Sequence, residues 1–291
     1  MKTLFKLLLS LLLSSSYLIA HAGIQAEAST TVKIALAKKP TSKPMSIAYY
    51  PLYQKYYVAD GGLAPLPGEN EAPLSRSEIH VYGDDGKYLK SARPGYDNRV
   101  IYFNDTSKKL ETITFNISTA AGFSPNTGIF SLDLDNDGFL TGKSDDVFGF
   151  NPAFGDASTM PSYDPDHQVY YAKQGRSNAV WVIKLPNREK SKEILLDLKA
   201  AGAQFDDVAD YFVAYTGVTG NELAILDVDH KAVLLFNLEG KFAGKSMLPA
   251  NMKLRAQNHI AGMAYSNSIF FVLHEPEGEF GTFYGFKIFT E

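Results

Sequence analysis

The chain has 291 residues, with 28 Lys and Arg against 32 Asp and Glu for a net charge of −4, and it contains no cysteine. The lack of cysteine excludes disulfides, thiolate metal sites, a cysteine nucleophile and a lipid-anchored cysteine. A mildly acidic chain without a basic run argues against nucleic acid or an anionic membrane as partner, and 17 Tyr with 19 Phe suit pleated, half-buried surfaces.

Lys2 and Lys6 lead into the apolar run Leu7 to Leu13, and the segment closes on Ala20-His21-Ala22. A basic start, a short apolar core and an A-x-A end predict a cleavable export signal over residues 1–22. Its loss removes two lysines and no acid, leaving 26 basic and 32 acidic residues, a net −6. A cysteine-free exported chain points to a bacterial periplasm or medium, and to a core that holds without disulfides. Residues 23–44 form a polar lead with one alternating strand, 31–37, followed by a proline-broken linker.

From residue 45 to 291 the chain repeats. Tyr49, Tyr102, Tyr163, Tyr215 and Tyr265 each end a short apolar strand, at spacings of 53, 61, 52 and 50 residues. A Pro-, Gly- or Asn-rich turn and a second strand follow each tyrosine. A third strand then runs into a turn at Gly86, Gly138, Asn187 or Gly240, spaced 52, 49 and 53 residues apart, and a fourth strand returns. Four antiparallel strands at a period near fifty residues predict an all-β fold, a β-propeller of five blades. Six blades is the alternative, with the extra blade in the longest gap. The fifth repeat ends after its third strand, so strand 31–37 is expected to supply the missing outer strand and close the ring.

The hairpin of Ser77-Glu-Ile-His-Val-Tyr-Gly-Asp-Asp-Gly86 and its counterparts resembles the apolar-x-apolar-Asp-x-x-Gly hairpin of NHL-like and lactonase-like propellers. The resemblance covers about residues 45–291 and implies fold. It further implies, for a lactonase, a calcium ion held in the channel by Glu, Asn and Asp side chains, with Asp97 and Asn98 as residues of matching type.

In such a ring the loops between blades, and those joining second to third strands, gather on one face. Tyr96, Asp97, Asn98, Arg99, Asp206, Asp207, Asn258 and His259 are expected there as a polar channel mouth that binds a ligand or cation. The alternative is that they serve as ion pairs and hydrogen bonds between blades. The stretch Asp60 to Arg76 is the longest insertion within a blade. His259, His274, Glu275 and Glu277 read as solvated loop charges, and His80, His167 and His230 as isolated surface residues. Asp133, Asp135 and Asp137 before Gly138 match the start of a calcium loop, with Asp145 as a further ligand, although Ser144 stands where a bidentate acid is expected. Calcium is therefore the candidate cofactor, and the same stretch also reads as a plain hairpin. No nucleophile elbow or phosphate-cradling loop is present. The expectation is an exported monomer acting as a non-catalytic binding module for a protein, glycan or small ligand. A calcium-dependent hydrolase of lactonase type is the alternative.

Overall fold

The computed structural model describes residues 22–37, 43–61, 77–94, 97–116, 126–150, 154–155, 159–184, 189–254 and 262–290. Residues 1–21, most of the expected signal, lie outside them, as does most of the Asp60 to Arg76 insertion.

Three sheets are four-stranded and follow chain order. The first holds β2 (Lys43–Tyr50), β3 (Lys55–Gly61), β4 (Glu78–Gly83) and β5 (Tyr88–Ala92). The second holds β6 (Asp97–Asn104), β7 (Lys109–Asn116), β8 (Asn126–Leu134) and β9 (Leu140–Phe150). The third holds β10 (Ser162–Asp164), β11 (Val169–Lys173), β12 (Ala179–Lys184) and β13 (Glu189–Leu195). An eight-stranded sheet completes the molecule. It contains β14 (Ala214–Tyr215), β15 (Leu223–Asp227), β16 (Ala232–Phe236), β17 (Phe242–Met247), β18 (Met263–Ser266), β19 (Ile269–His274) and β20 (Thr282–Phe289).

Its eighth strand is β1 (Ile24–Ala35), which lies between β17 and β20. With β20 it pairs antiparallel from Ile24 opposite Phe289 to Ala35 opposite Thr282. With β17 it meets in parallel at Glu27 opposite Met247. The N-terminal strand is thus the outer partner of the C-terminal one. It is longer than the alternation of 31–37 predicts because irregular register between Ile24 and Ser29 breaks the period.

The sheets pack face to face, which explains why their second and third strands are apolar on both sides. On β3, Tyr57 and Ala59 join Ile101, Leu110 and Leu132 of the second sheet. Tyr56 and Val58 face the other way, toward Phe271 and Phe283 of β19 and β20, with Ile34 and Leu36 of the N-terminal segment. Tyr171 and Val182 likewise meet Ile225 and Leu234 across the third and eight-stranded sheets.

First-to-second-strand turns repeat their chemistry. Asn104 Oδ1 accepts from Thr106 and Ser107 amides, and Asp164 Oδ1 from those of Asp166 and His167. Gln54, Lys108 and Gln168 close these turns in the left-handed region. Third-to-fourth-strand glycines dock on the neighbouring sheet. Gly138 carries φ of +79°, and a Cβ there would lie 2.5 Å from the Tyr53 ring. Its carbonyl accepts from the buried Tyr57 hydroxyl at 2.6 Å.

Between Leu195 and β14 a short helix α1 (Leu198–Ala201) appears, capped by Asp197, whose carboxylate accepts from the Ala200 amide. A 3-10 turn at Phe205–Asp207 follows. Among the described residues no helix is long and apolar enough to cross a membrane.

Candidate functional site

The innermost strands β2, β6, β10, β14 and β18 surround a cavity of about 370 Å³. Hydroxyls stitch them together: Ser46 Oγ accepts from the Ile101 amide, Ser162 Oγ from Tyr215, and Ser266 Oγ from Tyr49. These bonds use amides on the strand edge that faces the axis, where no further strand can pair. All five repeat tyrosines (Tyr49, Tyr102, Tyr163, Tyr215 and Tyr265) line the cavity. Each is half-buried.

The cavity is a funnel. Turn residues such as Pro51, Asp105, Asp166 and Asn267 mark its mouth, on the face of the first-to-second-strand turns. Its floor is apolar, with Met160, Phe212 and Met263 at 1–3% exposure. Met160 and Phe212 also form a parallel bridge that holds the floor together.

Buried acids stiffen the wall. The Tyr102 hydroxyl donates to Glu111 Oε2 at 2.8 Å and shares a 2.7 Å bond with the Tyr170 hydroxyl. Asn104 and Ser107 also donate to Glu111, which is 3% exposed. Burial drives the Tyr102 phenol well above its ordinary range, so it remains a donor. Asp164, fully buried, accepts from the His167 ring at 2.8 Å and from the Tyr171 hydroxyl at 3.1 Å. Among the described residues, Asp105 and Asp166 are the acids at the mouth, and no Lys, Arg or His lines the funnel. The mouth therefore disfavours anions and suits uncharged or cationic ligands.

Of the residues expected at the opposite face, five fall within the described residues. Tyr96, Asn258 and His259 lie outside the described residues. Asp97 and Arg99 are buried and paired with each other at 2.9 Å. Asn98 takes Ser77 Oγ on its amide and accepts from Thr112. Asp207 caps its own 3-10 turn by accepting from the Gln204 amide at 2.7 Å, and Asp206 is exposed beside Arg176 and Asp210. Asp97, Asn98, Arg99 and Asp207 are thus tied into the scaffold, and Asp206 is not.

The hairpin aspartates are likewise dispersed. Asp135 accepts from the amides of Asp137 and Phe139, and Asp133 from the Thr141 hydroxyl at 2.7 Å. Asp145 faces Lys109 at 3.8 Å. Asp133, Asp135 and Asp137 are exposed, and Asp133 and Asp135 brace the turn while Asp145 stands apart on β9. His274 is an acceptor for the Lys253 amide at 2.8 Å, and burial holds it below the usual histidine range.

His80 corrects the expectation of a surface residue. It is 4% exposed, because the third strand of a blade is covered on both faces. Its Nδ1 lies 2.7 Å from Ser91 Oγ and its Nε2 3.4 Å from Asp60 Oδ2. His167 and His230 do sit at the surface, but each pairs with an aspartate three residues earlier. Asp60, Glu78 and His80 form the one group of three His, Asp or Glu donors within 4.8 Å among the described residues. Sequence reading missed it, and the tyrosine funnel, although the recurrence of one aromatic at each innermost strand end was its visible signal.

Lys173, at the end of β11, is wholly buried and donates to the carbonyls of Asp210 at 2.6 Å and Ser177 at 3.1 Å. Burial pulls its ammonium down to about 8, against the opposing pull of Asp210. The folded pKa lies below the unfolded one, so the unfolded chain binds this proton more tightly between the two values. Stability therefore rises with pH from about 8 toward 10.5, and below that window the cost of burying the charged ammonium is fully present and does not vary with pH. Urea unfolding at stepped pH is expected to show a gain of about 1–2 kcal/mol by pH 9.5 that disappears in Lys173→Met.

No family model matches the sequence, and no curated protein matches it. Solved structures do match in shape. A glucose dehydrogenase crystal structure superposes with a TM-score of 0.52 at 9% identity, covering 88% of this chain and 99% of the other. A second glucose dehydrogenase gives 0.51 at 10% identity, covering 88% and 98%. Regucalcin, a calcium-binding protein from Agrobacterium tumefaciens, covers 90% and 96% at 11% identity, with a TM-score of 0.44 too low to argue from. At these identities the likeness concerns the fold alone.

Proposed function

We propose that this chain, a lactonase-like β-propeller in fold, is an exported monomer of five blades whose tyrosine funnel binds an uncharged, hydroxylated small molecule without turning it over. The fifth blade in this reading is β18, β19 and β20 with β1, joined to the β14–β17 blade through the single parallel meeting of β1 and β17. Carriage of that sheet by an N-terminal strand, directly after an export signal, fits a fold completed once the signal has gone.

The observation that carries the binding reading is the ring of five tyrosines on an apolar floor. Aromatic faces pack against the flat apolar side of a ligand, and phenols and turn carbonyls meet its hydroxyls. The buried acids Glu111 and Asp164 are already committed to phenols, amides and a histidine, so they buttress the wall. Asp105 is paired with Lys108 at 2.5 Å, and Asp166 is exposed at the rim.

Thermal-shift and calorimetric screening of mono- and disaccharides, polyols, aromatic alcohols and their anionic counterparts tests this. Uncharged members are expected to bind and the carboxylated or phosphorylated analogues to bind at least about tenfold more weakly. Tyr49→Ala and Tyr163→Ala are expected to weaken binding about tenfold each, the worth of one aromatic face. Preferential binding of anions, or affinity untouched by both variants, overturns the proposal.

Hydrolysis is the second reading, favoured by one observation, the Asp60, Glu78 and His80 group. Those residues lie at the opposite end of β3 and β4 from the funnel mouth. Release of product from a lactone or ester panel, lost in Asp60→Asn and kept in Tyr163→Ala, would establish it over binding alone.

A further inference from the structure

Glu111 stands behind the funnel wall as a buried acid held by neutral partners. It is 3% exposed and accepts from the Tyr102 hydroxyl at 2.8 Å, from Asn104 Nδ2 at 3.0 and 3.1 Å, and from the Ser107 hydroxyl at 2.9 Å. Those bonds take up the lone pairs of both oxygens, so the geometry holds the group as a carboxylate. Among the described residues no Lys, Arg or His is paired with it. A carboxylate desolvated in this way gains from a positive charge placed nearby.

The funnel is the open space beside it. Tyr102 and Tyr163 line that space from neighbouring innermost strands, with ring centroids 5.3 Å apart and planes at 39°. Together they make an angled aromatic wall, and Glu111 touches its rear through the Tyr102 hydroxyl. Its charge is felt across the wall: burial raises the Tyr163 phenol, and Glu111 raises it further. Burial also raises the Tyr215 phenol on the next strand, followed by the charges of Asp164 and Asp166. We propose that the Tyr102–Tyr163 wall is a subsite for a quaternary ammonium group. This inference rests on the funnel as the binding site and extends its ligand class from uncharged to cationic hydroxylated molecules.

An onium group suits this wall better than a protonated amine. A primary ammonium needs acceptors for three N–H groups. The lone pairs of Glu111 are already occupied, and Asp164 spends its own on two amides, His167 and Tyr171. A quaternary nitrogen has no proton to give, and the negative faces of aromatic rings attract it. Asp164 has His167 opposite it at 2.8 Å, so Glu111 is the buried acid of the wall that lacks a base.

The test is calorimetry on the full mature chain with choline and with 3,3-dimethylbutan-1-ol, which replaces the charged nitrogen by carbon and keeps the hydroxyl. Choline is expected to bind about tenfold tighter than this isostere, the worth of a partly desolvated cation on an aromatic wall. Glu111→Gln, which keeps the shape and removes the charge, is expected to cut that preference to about threefold or less. The ratio is taken within each protein, so any general loosening of the wall cancels. A wild-type ratio near one overturns the subsite, as does a ratio unchanged in Glu111→Gln or choline affinity unchanged in Tyr163→Ala. Should Glu111→Gln not fold, the wild-type ratio and Tyr163→Ala decide. Saccharides or polyols that bind while choline does not overturn the onium subsite and leave the funnel reading standing. The funnel reading fails separately, if uncharged ligands bind without regard to the tyrosine variants.

Discussion

Deletion of residues 22–37 is expected to leave a chain that does not fold to a soluble monomer. This segment supplies Ile34 of β1 and the adjoining Leu36, at 0% and 7% exposure, to the cluster containing Phe271 and Phe283. Truncating one such side chain costs about 2–5 kcal/mol, and a domain's whole stability is about 5–15 kcal/mol. Loss of the strand also strips β20 of its hydrogen-bonded neighbour and opens two edges at once, inviting intermolecular pairing. The effect is topological, and a rearranged chain can show it. Gly23 O accepts from the Thr290 amide at 2.7 Å, and Gly23 N donates to Thr290 Oγ1 at 2.9 Å. Joining Thr290 to Gly23 through a short turn, with a new start just before β2, makes β20 and β1 an ordinary hairpin. This permutant is expected to fold with a Tm near that of the parent, while the deletion is found in the insoluble fraction. A soluble, cooperatively melting deletion would show that β1 is not the closing strand.

Gly240→Ala is expected to cost on the order of 3 kcal/mol or more, through strain combined with collision. Gly240 sits at φ +80°, and a Cβ there would lie 2.1 Å from the Leu195 carbonyl oxygen and 2.8 Å from its carbon. Backbone cannot swing aside as a side chain can. The Gly240 carbonyl is meanwhile tied to the Asp197 amide at 2.9 Å, so the hairpin cannot retreat without breaking the joint to the third sheet. Gly142 provides the control. Its φ is +83° with nothing within 4 Å of the added Cβ, so Gly142→Ala should show the conformational penalty alone, about 1 kcal/mol. Chemical denaturation of both variants measures the difference. Equal losses would mean that the hairpin glycines serve only their own turns.

Much of this architecture was legible in residues. The tyrosine register placed the innermost strands, and Asn104 and Asp164 announced the turns after them. The end of the chain on a third strand pointed to β1 as its missing partner. Two things were hidden. The first was the funnel itself: the tyrosines mark the repeat period in sequence, whereas their position at the strand ends is what lines the cavity. The second was the fate of charged residues at strand termini. Glu78-Ile-His80 alternates as a half-solvated strand does, yet a third strand is covered on both faces, so polar positions at its end become buried between sheets. Asp97, Asn98 and Arg99 met the same fate on β6. The Asp-rich turn before Gly138 carries a calcium-like spacing, but Gly138 fits tightly against Tyr53 and the aspartates are used within the turn.

The funnel is the central claim, and methionine methyl resonances report on it directly. Met160 and Met263 form part of its floor, whereas Met247 is exposed on the outer strand β17. Titration of methyl-labelled mature protein with an uncharged saccharide or polyol found by screening should shift Met160 and Met263 in parallel and leave Met247 still. Shifts confined to Met247, or binding that moves neither floor methyl, would contradict the account.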